Sequence, residues 1–272
     1  MGVISPRFQL REVRVPLLPP NSESIRILHF SDLHLTPNRK RELSWIKSLN
    51  QLDPDLVIST GDHIAHPNAI KPLVDALGDL LLKPGAYVFG SNDYFAPSFK
   101  NPLRYLKSDD GRRTHGLELP WKSLYSELSK FGWKNLNNDQ TFLSIKHHEI
   151  EFRGTDDAHL EYDEYEKVSG TKSKNLYFGV THAPYKRVLE AMQKDGADLI
   201  FAGHTHGGQI RLPWYPESKA LVTNCDLPTW RARGLTYENN WLHVSAGMGT
   251  SPFAPLRFAC APEATLLHVV SG

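Results

Sequence analysis

Five short apolar runs punctuate the chain, and each ends in a small group of polar residues. They are Ile25 to Phe30, Leu56 to Ser59, Tyr87 to Phe89, Leu176 to Val180 and Leu199 to Ala202. Runs of this length, rich in β-branched and aromatic residues and bounded by loop formers, read as buried strands. Between the first three lie Arg39 to Leu52 and Asn68 to Leu82, with apolar residues at helical spacing (Leu43, Ile46, Leu49; Ile70, Leu73, Ala76, Leu80). Strand, helix and strand in repetition imply parallel pairing and right-handed crossovers. Four later runs, Thr141 to Ile145, Glu149 to Arg153, Trp241 to Val244 and Ala264 to Val270, also read as strands. Near the start, Phe8, Leu10, Val13 and Val15 read as an edge strand feeding the core.

The polar groups that close the five runs carry the chemistry. They are Asp32-Leu33-His34, Gly61-Asp62-His63, Gly90-Ser91-Asn92-Asp93, Thr181-His182-Ala183-Pro184 and Gly203-His204-Thr205-His206-Gly207-Gly208. In parallel sheets, ligands collect at the carboxyl ends of strands, which is where these residues fall. An Asp-x-His after a strand occurs often by chance. His204 and His206 are different, because on a strand both face one side, and on a tight glycine loop both can point inward. Five such segments, each supplying a carboxylate, amide or imidazole, point to one metal centre. His63 and His66 read as loop residues or supports. His29, His147, His148, His159, His243 and His268 lack such context and read as structural or surface residues.

In order and composition these motifs resemble those of the calcineurin-like metallophosphoesterases: Asp-x-His, Gly-Asp, Gly-Asn-His-Asp/Glu, a lone His and Gly-His-x-His. The resemblance runs from about Ile25 to Val270. Leu28 to Leu35 and Gly203 to Ile210 look most like the bacterial branch of small membrane-associated phosphodiesterases, some of which cleave the pyrophosphate of UDP-diacylglucosamine. It implies an α/β fold in which two mixed sheets pack as a sandwich flanked by helices, with the four later runs building the second sheet. It also implies two divalent ions, one held by Asp32, His34 and His206, the other by His182, His204 and a ligand of the third motif, with Asp62 bridging. Two such ions roughly 3.5 to 4 Å apart activate a shared water and clamp an in-line displacement at phosphorus. The implied reaction is thus attack by a metal-bridging hydroxide on a phosphodiester or pyrophosphate. Oxygen and imidazole ligands without thiolate suit Mn²⁺, with Fe or Zn as alternatives.

The third motif departs from the pattern. Without a gap, Ser91 takes the place of the family's Asn ligand and Asn92 that of its His; shifted by one residue, Asn92 is the ligand and Asp93 stands in the His position. A neutral alcohol is a weak ligand, which favours Asn92. Either way the imidazole that assists the leaving oxygen is missing. General-acid assistance typically contributes about 10² to 10⁴-fold, so a substrate with a low-pKa leaving group is one answer. A donor from elsewhere is a second, with His115 first and His63 or Asp93 behind it. Weak catalysis by a metal-bound interaction module of the same fold is a third.

Composition narrows the rest. The 272 residues, 40% hydrophobic and free of repeats, suit a single domain over 1–272, with a substrate-side insert expected at about 97–120. That insert carries Lys100, Arg104, Lys107, Arg112, Arg113 and His115 beside Leu103, Tyr105 and Leu106. It reads either as a flap that recognises phosphate oxygens or as a solvated loop. A net charge of +1 gives no footprint for general nucleic-acid binding. The expected partner is a phosphorylated small molecule or a lipid-linked nucleotide. Cys225 and Cys260 form no metal or redox spacing, and Cys260 reads as part of a late strand. No run reaches the roughly 18 apolar residues of a membrane span, and residues 1–20 lack a signal-peptide apolar region. The expected location is cytoplasmic, with peripheral contact at the inner face of the membrane implied by the resemblance.

Overall fold

The computed structural model describes residues 8–97, 116–212, 220–221, 223–252 and 256–272. Most of the 97–120 insert, including His115 and its arginines, lies outside the described residues. The chain builds two six-stranded mixed sheets. In the first are β1 (Gln9–Leu18), β2 (Ile25–Phe30), β3 (Leu56–Thr60), β4 (Gly85–Val88), β5 (Lys134–Asn135) and β12 (Glu263–Ser271), in the order β1-β12-β2-β3-β4-β5. The second holds β6 (Gln140–Ile145), β7 (His148–Gly154), β8 (Leu176–Val180), β9 (Leu199–Ala202), β10 (Gly234–Glu238) and β11 (Asn240–Val244), in the order β10-β11-β9-β8-β7-β6. The central strands run parallel in both sheets, β2 to β3 to β4 and β7 to β8 to β9.

Side-chain alternation along β2 shows how the layers form. Ile25 and Ile27 point into the seam between the sheets, where they join Ile58, Val88, Phe152, Phe178 and Phe201. Leu28 and Phe30 point to the opposite face and pack under α1 (Lys40–Ser48), α2 (Ile70–Leu77) and α4 (Trp121–Lys130) through Ile46, Leu73, Leu77, Leu124 and Leu128. On the outer face of the second sheet, α5 (Lys186–Lys194) inserts Val188, Leu189 and Met192 against Tyr177, Ile200 and Leu242. The layers are therefore helices, sheet, sheet, helix. Each large apolar side chain taken fully out of water contributes roughly 1.5–3 kcal/mol, and the seam is held mainly by such residues.

The two predicted helices are present but segmented. Lys40–Ser48 continues as a 3₁₀ turn at Leu49–Leu52, which ends where Asp53 adopts φ 44°. Ile70–Leu77 is followed by a 3₁₀ turn from Gly78, whose φ of 50° breaks the regular path. Asn50 joins the two segments, donating to Ala76 O and accepting from Leu80 N.

Three expectations are corrected. Ala264 to Val270 lies in β12 of the first sheet, parallel to β1 and antiparallel to β2, and does not join the second. An apolar run buried on both faces fits the centre of either sheet, so its pattern does not choose between them. Cys260 is buried in the loop before β12 and belongs to no strand. The edge strand β1 buries Val15, but Leu10 is 39% exposed and Phe8 precedes the strand, stacking on Trp45 of α1. No helix of the described residues is long and apolar enough to cross a membrane.

Candidate metal centre

The carboxyl ends of β2, β3 and β4 in one sheet meet those of β8 and β9 in the other, and the five motifs converge there. Asp32, His34, Asp62, His204 and His206 all adopt positive φ, from 43° to 67°. For residues with a Cβ this conformation is strained, at a cost of order 1–3 kcal/mol each, and such strain gathers where the surroundings must aim a side chain. Two glycines are required by close approach. A Cβ on Gly203 would sit 1.9 Å from Ser31 Oγ, and one on Gly90 would sit 2.4 Å from Asp62 Oδ1.

Two groups of ligand atoms result, Asp32 with His34 and His206, and Asp32 with Asp62 and His182, each with its atoms within 4.8 Å of one another. His34 Nε2 and His206 Nε2 stand 3.0 Å apart with their rings stacked. Asp62 divides between the groups, with Oδ2 3.5 Å from His34 Nε2 and Oδ1 3.6 Å from His182 Nε2. His206 Nε2 lies 3.6 Å from Asp32 Oδ1. The His204 ring centre is 5.2 Å from that of His182, outside both groups, while its backbone N–H donates to Asp32.

Remote atoms aim the rings. His182 Nδ1 donates to Thr60 O at 2.6 Å, and Nε2, buried, has no hydrogen-bond partner. His204 Nε2 donates to Asn224 O at 3.1 Å. An outward hydrogen bond of this kind leaves the other nitrogen for an ion.

The electrostatics agree with a cation between these groups. Burial raises the Asp32 carboxyl to about 6, with Asp62 adding to the effect against the pull of His182. Burial alone would also raise Asp62, but His182, His34 and two bonds from Asn92 outweigh it and hold this carboxylate low. Burial pushes His34 down to about 4, and burial with His34 and Arg257 nearby pushes His206 well below its ordinary value. For His182, burial is overcome by Asp62, Asp157 and Asp32, which raise it to about 9. The neutral rings of His34 and His206, facing one another beside buried carboxylates, and a His182 Nε2 with no hydrogen-bond partner fit a divalent ion, which would balance the carboxylates and accept the imidazole lone pairs.

In the third motif, the short helix α3 (Ser91–Tyr94) directs Asn92 at Asp62: its backbone N–H donates to Oδ1 and its Nδ2 to Oδ2, both at 2.7 Å. Asp93 turns away, accepting from His63 N, Ile64 N, Gly90 N and His63 Nδ1. The other His63 nitrogen meets Ser59 Oγ at 2.7 Å. His66 accepts from Asn68 N at the start of a turn. His115 lies outside the described residues.

Three residues at this centre were not marked by any motif. The His159 ring lies 4.7 Å from that of His204, and its Nδ1 is 3.1 Å from Tyr185 Oη. Asp157 is fully buried, and burial raises its carboxyl to about 7. Arg257 Nη2 is 3.2 Å from His206 Nδ1. For the first two a signal exists: Thr155 to His159 follow the apolar strand β7 as the other motifs follow theirs.

These features make up a candidate metal centre, with two groups of residues that could hold divalent ions. The sequence model for the calcineurin-like phosphoesterases matches residues 25–208, and the chain belongs to that family. It is thus a hydrolase acting on phosphate esters. It is 25% identical over 272 residues to Phosphodiesterase YaeI of Escherichia coli, covering 97% of this chain and 88% of that protein. To UDP-2,3-diacylglucosamine pyrophosphatase LpxG of Chlamydia trachomatis it is 24% identical, covering 90% and 83%. A third relative, a bovine transmembrane protein with a metallophosphoesterase domain, is 27% identical over 73% of this chain, and the match spans only 44% of its length.

Proposed function

We propose that this chain hydrolyses phosphodiester or pyrophosphate bonds with two divalent ions, the first held by Asp32, His34 and His206, the second by His182, His204 and Asn92, with Asp62 between them. The observation that carries this reading is the division of Asp62 between His34 and His182. Such ions supply Lewis-acid activation of water and of the phosphoryl oxygens. Carboxylate and imidazole donors suit Mn²⁺, with Fe or Zn as alternatives. The protein's own part is to aim its ligands: Thr60 O orients His182, Asn224 O orients His204, and Asn92 holds both oxygens of Asp62.

The third motif bears on the substrate. With no imidazole beside Asp62 in that motif, a leaving group that departs without strong acid help is favoured, as in a pyrophosphate or an activated diester. The names of two relatives, a phosphodiesterase and a UDP-2,3-diacylglucosamine pyrophosphatase, support the same class. A phosphorylated small molecule or lipid-linked nucleotide is the proposed substrate. Both nitrogens of His63 are engaged, and Asp93 accepts four hydrogen bonds. His115 therefore stays first among the proton donors proposed from the sequence.

The test is Mn²⁺-dependent hydrolysis of bis(p-nitrophenyl) phosphate against p-nitrophenyl phosphate, with Asp62→Ala as the blank. Diester turnover that vanishes in the variant supports the reading. Two bound Mn²⁺ with no turnover of either substrate, or of nucleotide-linked pyrophosphates, favours a metal-bound interaction module instead.

A further inference from the structure

Arg257 belongs to neither ligand group and to none of the five motifs, yet its guanidinium lies directly behind one of the proposed ligands. Its two terminal nitrogens lie within hydrogen-bond distance of four backbone carbonyls. Nη1 donates to Ala246 O at 2.7 Å and to His206 O at 3.4 Å, while Nη2 donates to Gly249 O at 2.5 Å and to Gly247 O at 3.2 Å. The same Nη2 lies 3.2 Å from His206 Nδ1, against the ring edge remote from Nε2. Burial lowers the guanidinium below its ordinary range, with Asp32 and Cys260 opposing that shift.

These carbonyls come from two separate segments, the loop after β9 that carries His206 and the loop after β11. The second segment is tied in turn to the first motif: Met248 N donates to Ser31 O at 2.9 Å and Gly249 N to Asp32 O at 2.7 Å. One planar group therefore connects His206 directly, and Asp32 through Gly249, across the two sheets. Asp32 belongs to both ligand groups, but His206, which Arg257 meets directly, belongs to one. His182 and His204 are aimed by Thr60 O and Asn224 O, atoms that Arg257 does not contact.

We propose that Arg257 is a positioning residue for the ion held by Asp32, His34 and His206, acting by setting the separation of Asp32 and His206 and by backing the His206 ring. The proposal rests on the two-ion reading above. Rigid planarity is the property that matters. A lysine ammonium can carry the charge, but it lacks the rigid fork of donors that meets carbonyls of both loops at once.

The experiment is titration of Mn²⁺ into the metal-free full chain by calorimetry, for the wild type, Arg257→Lys and Arg257→Met, with thermal melting of each metal-free protein alongside. Loss of a group that orients ligands typically weakens metal binding by about 10 to 100-fold. The expected result is that loss in one of two binding events in both variants, with the other event unchanged. Wild-type binding in Arg257→Lys overturns the geometric role, and equal weakening of both events overturns the selectivity for one ion. If Arg257→Met does not fold, Arg257→Lys, which keeps the charge and an aliphatic stem, decides alone. A wild-type chain that binds no Mn²⁺ overturns the metal-centre reading itself, which separates that failure from this one.

Discussion

His29 and His243 face one another across the seam between the two sheets, Nδ1 to Nδ1 at 2.7 Å, in surroundings that include Phe201. Such a bond needs one of the two nitrogens to be unprotonated, so a proton added to the pair sets two donors against each other. Burial, with each other's proximity, pushes His29 well below its ordinary value, and burial with Arg11 pushes His243 to about 3. Both groups have folded pKa values below the unfolded value of about 6.5. Their stabilising contribution is therefore complete above that pH and is lost as pH falls, by about 1.4 kcal/mol per pH unit for each residue. Urea unfolding at pH 7 and pH 5 should show a shallower pH dependence for His243→Phe than for the wild type. An identical dependence in the two proteins would remove the pair from the account of acid sensitivity.

Asn92 holds both oxygens of Asp62, whereas Ser91 begins the short helix beside it. Asn92→Ala is expected to weaken the second Mn²⁺ by about tenfold or more, in the range for lost ligands and their supports. Ser91→Ala should have a smaller effect. The opposite ranking, measured by calorimetry, would return the ligand role to Ser91.

Gly203 admits no side chain, because a Cβ there would fall 1.9 Å from Ser31 Oγ and 2.9 Å from Asp32 Oδ2. Overpacking of this kind costs typically about 1–3 kcal/mol. Gly203→Ala should therefore lower the melting temperature and bind Mn²⁺ more weakly, because the strain falls on Asp32. Unchanged melting together with unchanged metal binding would contradict the close approach.

The His204 ring has the ring of His182 on one contact and that of His159 on another, at 5.2 and 4.7 Å. Tyr185 Oη is 3.1 Å from His159 Nδ1. Removing the His159 ring takes away one of the supports of His204 and leaves the bond to Asn224 O, so His159→Ala is expected to reduce diester turnover by about tenfold. Tyr185→Phe should reduce it less. Full turnover in His159→Ala would make that ring a bystander.

Much of this protein is legible along the chain, because the apolar runs and the polar residues that end them are local signals. Ile25 to Phe30, Leu176 to Val180 and Leu199 to Ala202 are strands with the predicted bounds. The grouping of Asp32, His34 and His206, taken from the resemblance, coincides with one of the two ligand groups in space. What the chain alone could not assign depends on long-range packing. Ala264 to Val270 is apolar enough for either sheet, and only its pairing with Ile25 to His29 places it in the first. His159 follows β7 as the motifs follow their strands, but the histidine it meets lies 45 residues further on, and Arg257 meets His206 across 51 residues with no local pattern to mark it. The sequence by itself determined the residue types at the strand ends and hence the class of chemistry, since periodicity and ligand identity are written residue by residue. Only the tertiary structure decided which side chains orient those ligands, because a hydrogen bond between loops of two sheets exists only once the seam has closed.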